Sequence, residues 1–104
     1  MDKREFKDRV YERVALVAKA LASPKRVELV ELLAQTERTV EWLAAATGMS
    51  VANTSQHLQV LRGARLVECR KDGLYVHYRL ASPAVGALHA AVRDVAAARD
   101  AEID

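Results

Sequence analysis

Between Thr39 and Leu61 the chain reads TVEWLAAATGMSVANTSQHLQVL, and few arrangements suit this stretch except two short helices joined by a tight turn. The spacing predicts a first helix from about Val40 to Thr47, with Thr39 as its N-cap and Trp42, Leu43 and Ala46 at helical intervals. Gly48 then ends the helix, because glycine takes positive φ without a steric penalty. Ser50 is a second N-cap, whose hydroxyl can accept from an orphan backbone N–H. A second helix follows from Val51 to about Arg62, with Thr54, Leu58 and Leu61 as its apolar stripe at i, i+4 and i+7.

Away from that stripe lie Ala52, Asn53, Ser55, Gln56 and Gln59, all small or uncharged and polar. A helix face that merely meets water more often carries Lys and Glu. Gln and Asn can make two hydrogen bonds to the exposed edge of adenine, and Ser can bond a phosphate or a base. Small residues near the N-terminus let the helix approach the groove floor. Together these features describe a helix-turn-helix whose second helix reads the major groove. The DNA-binding candidates are Ser50, Ala52, Asn53, Ser55, Gln56, His57 and Gln59, with His57 expected to pack or bond at the flank of the helix. Without DNA as a partner, the same pattern would be a helical hairpin with a polar face.

Upstream, residues 4–21 form an amphipathic helix in which Phe6, Val10, Val14, Val17 and Leu21 recur at intervals of three or four. Ser23-Pro24 begins the next helix, since Ser caps well and Pro suits the first helical position. Val27, Leu29, Val30, Leu32 and Leu33 mark it as the central core helix. Lys25 and Arg26 stand at its N-terminus, where cations oppose the helix dipole. They are either solvated charge or directed at something outside the fold, such as a phosphate. Gln35 to Arg38 reads as a polar connector.

Downstream, Gly63 can end the reading helix. Two extended runs, Leu66 to Lys71 and Leu74 to Leu80, flank Asp72-Gly73, a strong signal for a two-residue hairpin. Val67, Cys69, Val76, Tyr78 and Leu80 face inward. Glu68, Arg70, Tyr75, His77 and Arg79 face outward. Arg70, Lys71, Asp72 and Gly73 form the tip, a basic wing able to reach the backbone or minor groove of adjoining DNA. Arg70 and Lys71 therefore join the DNA-binding candidates. Ser82-Pro83 starts a last helix to about Arg99, striped by Val85, Leu88, Val92 and Val95 in a coiled-coil-like seam. Ala-rich intervals let another helix come close, and Glu102 to Asp104 should fray. The first and last helices are expected to form a subunit interface through Phe6, Val10, Val14, Val17, Val85, Leu88, Val92 and Val95, or else to pack within one chain.

Charge supports the wing. Residues 50–80 carry five basic and two acidic side chains, whereas residues 81–104 carry two basic and four acidic. The positive excess lies with the reading helix and hairpin, the footprint of a phosphate-facing surface. With 104 residues the chain suits one compact domain over 1–104, whose modest core a dimer would enlarge. No apolar run approaches the roughly 20 residues that span a bilayer, so no membrane partner is expected. The charged start MDKREFKDR lacks a signal-peptide core, and a cytoplasmic location is the simplest account. One cysteine, Cys69, excludes an intrachain disulfide and reads as a small apolar residue. No Ser/His/Asp set, glycine-rich phosphate loop or close carboxylate pair suggests an enzyme. A protein-interaction module using the same surface is the competing reading.

The segments ALASPKRVELVELL, GMSVANTSQHLQVLR and LVECRKDGLYVHYRL, in the order helix, helix, helix-turn-helix, hairpin, helix, resemble the ArsR/SmtB family of bacterial winged-helix regulators. The resemblance covers nearly the whole chain. It implies a mainly α fold with a small β-hairpin, a winged helix-turn-helix in the order α-α-α-α-β-β-α. It also implies a homodimer on palindromic double-stranded operator DNA, a regulator, often a repressor, released by a metal or another effector. Ser55, Gln56, His57 and Leu58 match the family's reader helix, and Arg70 to Gly73 its wing. Two departures stand out. The family usually places Ala-Gly before the leucine that opens the first wing strand, whereas here Ala64-Arg65 precedes Leu66 and the glycine is Gly63. Metal sensors of the family often carry Cys-x-Cys before the reader helix, whereas Thr39-Val40-Glu41-Trp42 has no thiol. Others place Asp and His ligands on the last helix. There His89 is the candidate, and a zinc or nickel ion would need donors from two chains because Asp94, five residues on, lies on another face.

Overall fold

The computed structural model describes residues 1–103, and side chains for residues 1–100. Helices α1 (Lys3–Ala20) and α2 (Pro24–Gln35) lead into a two-residue strand β1 (Arg38–Thr39). Helices α3 (Val40–Thr47) and α4 (Val51–Gly63) follow, then strands β2 (Val67–Asp72) and β3 (Tyr75–Leu80), and last α5 (Pro83–Ile103). The expected order α-α-α-α-β-β-α thus gains a strand. β1 pairs antiparallel with β3, Arg38 opposite Tyr78 and Thr39 opposite His77, giving the sheet order β1-β3-β2. Two polar residues carry no alternation of their own; only pairing with β3 makes them a strand. α5 runs past the expected end at Arg99 to Ile103 instead of fraying from Glu102, and Asp104 lies outside the described residues.

Capping explains the helix starts. Asp2, Ser23, Thr39 and Ser50 each accept from the backbone N–H three residues on, and Pro24 occupies the first turn of α2. Lys25 and Arg26, for which an outside phosphate was one reading, turn back into the fold. Lys25 Nζ donates to the Thr47 carbonyl at 2.6 Å, at the end of α3. Arg26 Nε donates to the Ala20 carbonyl at 2.6 Å, at the end of α1. Cations belong at helix C-termini, where carbonyls lack partners, and these two serve helices other than their own.

Leu29, Val30, Leu43, Leu58, Leu61 and Val67 are almost wholly enclosed at the centre of the core. On α3 the buried face is Val40, Leu43, Ala44 and Thr47, an i, i+3, i+4, i+7 set. Trp42 and Ala46, expected on that face, are exposed. The template that begins at Val40 wins because four residues fit it. Arg38 covers the indole instead, its guanidinium carbon 3.8 Å from the ring centroid, a cation–π stack.

Both helices of the central pair end in the same way. Met49 N–H donates to the Ala44 carbonyl and Gly48 N–H to that of Ala45, with Gly48 at φ +70°. Leu66 N–H donates to the Leu61 carbonyl at 3.0 Å and Arg65 N–H to that of Arg62 at 2.9 Å. These are Schellman motifs. In the second, Gly63 remains helical and Arg65, at φ +61°, takes the left-handed position. The helix does end at Gly63, as expected, but the left-handed residue that closes it is Arg65, two positions on. A left-handed side-chain residue costs about 1–2 kcal/mol, and glycine recovers that less the roughly 0.5–1 kcal/mol of chain entropy it loses on folding. Arg65→Gly should thus stabilise by roughly 0.5 kcal/mol and raise the thermal midpoint by about 2–4 °C at fixed protein concentration. A lower midpoint in calorimetry would show that Arg65 contributes contacts worth more than its backbone cost.

Candidate nucleic-acid interface

The reading helix is held from beneath. Thr54, Leu58 and Leu61 are buried in the core, as the spacing predicts. The Thr54 hydroxyl donates to the Ser50 carbonyl at 2.8 Å, so even the polar member of the stripe is satisfied. That fixes the rotation of α4 and turns Ala52, Asn53 and Gln56 fully outward, with Ser55 half-buried beside them. Ser50 is exposed, but its hydroxyl accepts from Asn53 N–H at 3.0 Å and so sets the helix start. His57 is half-buried, its Nδ1 3.3 Å from Arg26 Nη1, which is the flank position expected of it.

Gln59 is exposed on the same helix, yet its side chain faces the wing: Nε2 donates to the Tyr78 hydroxyl at 2.9 Å. Burial pushes the Tyr78 phenol above its usual range, and Cys69 beside it pushes the same way. Tyr78 therefore keeps its proton at neutral pH, and its oxygen accepts from Gln59. This bond pins the C-terminal half of the reading helix to the central wing strand. Cys69 is half-buried opposite Tyr78, on the inward face expected for it.

In the hairpin Asp72 pairs with Tyr75, so the turn residues are Gly73 and Leu74 and not Asp72-Gly73. Gly73 alone has positive φ, at +62°, the pattern of a type II′ turn with glycine first. The shift sends Leu74 to the tip, where it is 94 % exposed. It also recasts the cations. Arg70 Nε donates to Glu37 at 2.7 Å, and Nη1 lies 3.6 Å from Asp72, so Arg70 ties the wing to the segment before β1. Lys71 has no such ion pair among the described residues and stands exposed near the tip. His77 keeps the face opposite Tyr78 but is half-buried, because β1 lies alongside it. Glu37 was missed as a wing partner since a contact across thirty residues leaves no local signal.

The proposed interface residues divide. Phe6, Val10, Val14, Leu88, Val92 and Val95 are exposed, an apolar surface carried on two helices. Val85, 8 % exposed, belongs instead to the core, where the first turn of α5 meets it, and Val17 packs half-buried against that core. His89 faces α2, with Nε2 3.5 Å from Glu31 Oε1. Arg93 Nη1 bonds the same carboxylate oxygen. Among the described residues no three of His, Cys, Asp and Glu converge in a way that could hold a metal. No helix among them is long and apolar enough to cross a membrane.

Residues 23–68 match the model for bacterial regulatory proteins of the arsR family. The chain is 46% identical over 85 residues to the HTH-type transcriptional regulator Rv0324 of Mycobacterium tuberculosis, a match covering 82% of this chain but 38% of that protein's length. It is 39% identical over 89 residues to the uncharacterized HTH-type transcriptional regulator Rv0081 of the same organism, covering 85% of this chain and 78% of that one. Among solved structures, the homodimeric winged helix-turn-helix DNA-binding domain of Mb0332 from Mycobacterium bovis superposes with a TM-score of 0.84 at 43% identity, covering 92% of this chain and 87% of that chain.

Proposed function

We propose, from the premise that the chain belongs to the arsR family of bacterial regulatory proteins and is a winged helix-turn-helix transcriptional regulator, that it binds double-stranded operator DNA as a homodimer and acts as a repressor in the cytoplasm. One observation carries this reading: the core clamps α4 through Thr54, Leu58 and Leu61, so Asn53 and Gln56 are held outward with no charged residue between them. Uncharged amide side chains on a fixed helix suit base edges. Lys71 on the wing suits a phosphate, a contact that positions the duplex without reading it. The exposed apolar faces of α1 and α5 suit a second copy, and two copies would present paired reading helices to a palindrome.

The residues present do not fit a zinc or nickel effector within one chain. His89 has one carboxylate neighbour, Glu31, and the Arg93 guanidinium already occupies that carboxylate. A bound zinc ion asks for three or four donors. A site at His89 would need donors from both chains of the proposed homodimer, and operator release by such an ion or by another small effector completes the reading.

Titration of labelled duplexes by fluorescence anisotropy tests the proposal. Affinity for the promoter of the chain's own gene should fall steeply with salt. Gln56→Ala should cost the operator about tenfold, some 1–3 kcal/mol, and leave random duplex unchanged. Lys71→Ala should weaken both duplexes alike and flatten the salt dependence. If neither substitution matters, the surface meets another protein, and a stable hetero-complex without DNA affinity would establish that alternative.

A further inference from the structure

Arg26 belongs to the first turn of α2, yet its guanidinium serves two other helices. Nε and Nη2 donate to the Ala20 and Lys19 carbonyls, at 2.6 and 3.4 Å, closing the end of α1. Nη1 lies 3.3 Å from Nδ1 of His57 on α4. A guanidinium offers only donors and does not lose its proton in proteins. His57 Nδ1 must therefore accept, and the one ring hydrogen of the neutral imidazole belongs on Nε2. Nε2 has no protein partner among the described residues. Nor is it enclosed, since Arg38 Nε alone among them is a buried side-chain nitrogen or oxygen without a partner.

We infer that Arg26 is a positioning residue for the DNA-facing surface: it fixes His57 as the Nε2–H tautomer and presents that N–H as a donor to the duplex beside Gln56. The inference rests on the reading of α4 as the DNA reader. It gives His57 a role that its place in the reading helix alone does not. With Nδ1 taken, the ring cannot turn over and offer an acceptor, so it favours phosphate oxygens or the acceptor edges of bases. Because the same guanidinium holds the end of α1, the aim of this N–H is set by the helix that carries Phe6, Val10 and Val14.

Two substitutions separate the two ring nitrogens. Asn at position 57 places an acceptor near the Nδ1 position and nothing at Nε2. Gln places an N–H near Nε2 and loses the Arg26 partner. His57→Asn should therefore lower duplex affinity roughly tenfold, the worth of one hydrogen bond to a charged or well-aligned acceptor. His57→Gln should stay within about threefold of the parent. Equal loss on operator and random duplex marks a phosphate partner, and larger loss on the operator marks a base; either supports the assignment. Equal affinity of the Asn and Gln variants overturns it. Long-range 1H–15N spectra of the free protein supply the second readout. They should show the proton on Nε2 in the parent and a mixture of tautomers in Arg26→Met, with Arg26→Lys partly restoring the parent pattern. A proton on Nδ1 in the parent overturns the inference. If the parent binds no duplex at all, the DNA reading fails, and these spectra still decide what Arg26 does to the ring.

Discussion

Val14→Asp is expected to leave each chain folded and to abolish pairing, lowering operator affinity by roughly a hundredfold or more. Val14 is 60% exposed in the single chain, so a carboxylate there meets only water. In a homodimer built on α1 and α5 the same carboxylate would be buried without a cation, which costs several kcal/mol. Loss of pairing then removes the gain that comes from engaging two half-sites with one molecule. Sedimentation should report a monomer, circular dichroism a loss of helix no larger than α1, and anisotropy a shallow, weak titration. A variant that remains dimeric and binds normally would place the interface away from the middle of α1.

Leu58→Ala should cost about 3 kcal/mol, as truncation of an enclosed leucine does. Leu58 is wholly buried on the inner face of the reading helix. Against the 5–15 kcal/mol typical of domains, that is a large share. The thermal midpoint should fall by more than about 10 °C. Val60→Ala, two residues on but exposed, is the control and should change stability by no more than about 0.5 kcal/mol. Equal effects from the two substitutions would mean that α4 is rotated from the orientation described above.

The central helix pair was legible because its signals are local. Thr39, Gly48 and Ser50 act on backbone groups within three residues, and Thr54, Leu58 and Leu61 repeat at a spacing that only a helix satisfies. What escaped was set by partners distant in the chain. Arg38 and Thr39 become a strand only beside Tyr78 and His77. Arg70 reads as a phosphate contact until Glu37 is placed against it. Lys25 and Arg26 oppose the dipole of their own helix and look wasted until the carbonyl ends of α3 and α1 arrive beside them. The hairpin shifted by one residue because both Asp-Gly and Gly-Leu can make a two-residue turn, and pairing of Asp72 with Tyr75 selects the second. Where the family usually has Ala-Gly, this chain has Ala64-Arg65, and Arg65 takes the left-handed conformation that glycine adopts without strain.

Helix α1 is packed into the core of its own chain only at its far end, through Val17, Ala20 and Leu21, while residues 1–16 are largely exposed. An amphipathic helix gains most of its stability from packing its apolar face and little from propensity. In the proposed homodimer, order along most of α1 comes from the twin, so that winding the helix and meeting a second copy become a single event. On the proposed operator, where unpaired chains prevail and sites are unsaturated, occupancy would climb faster than in proportion to supply. Halving the supply of chain would then cost more than half of that occupancy.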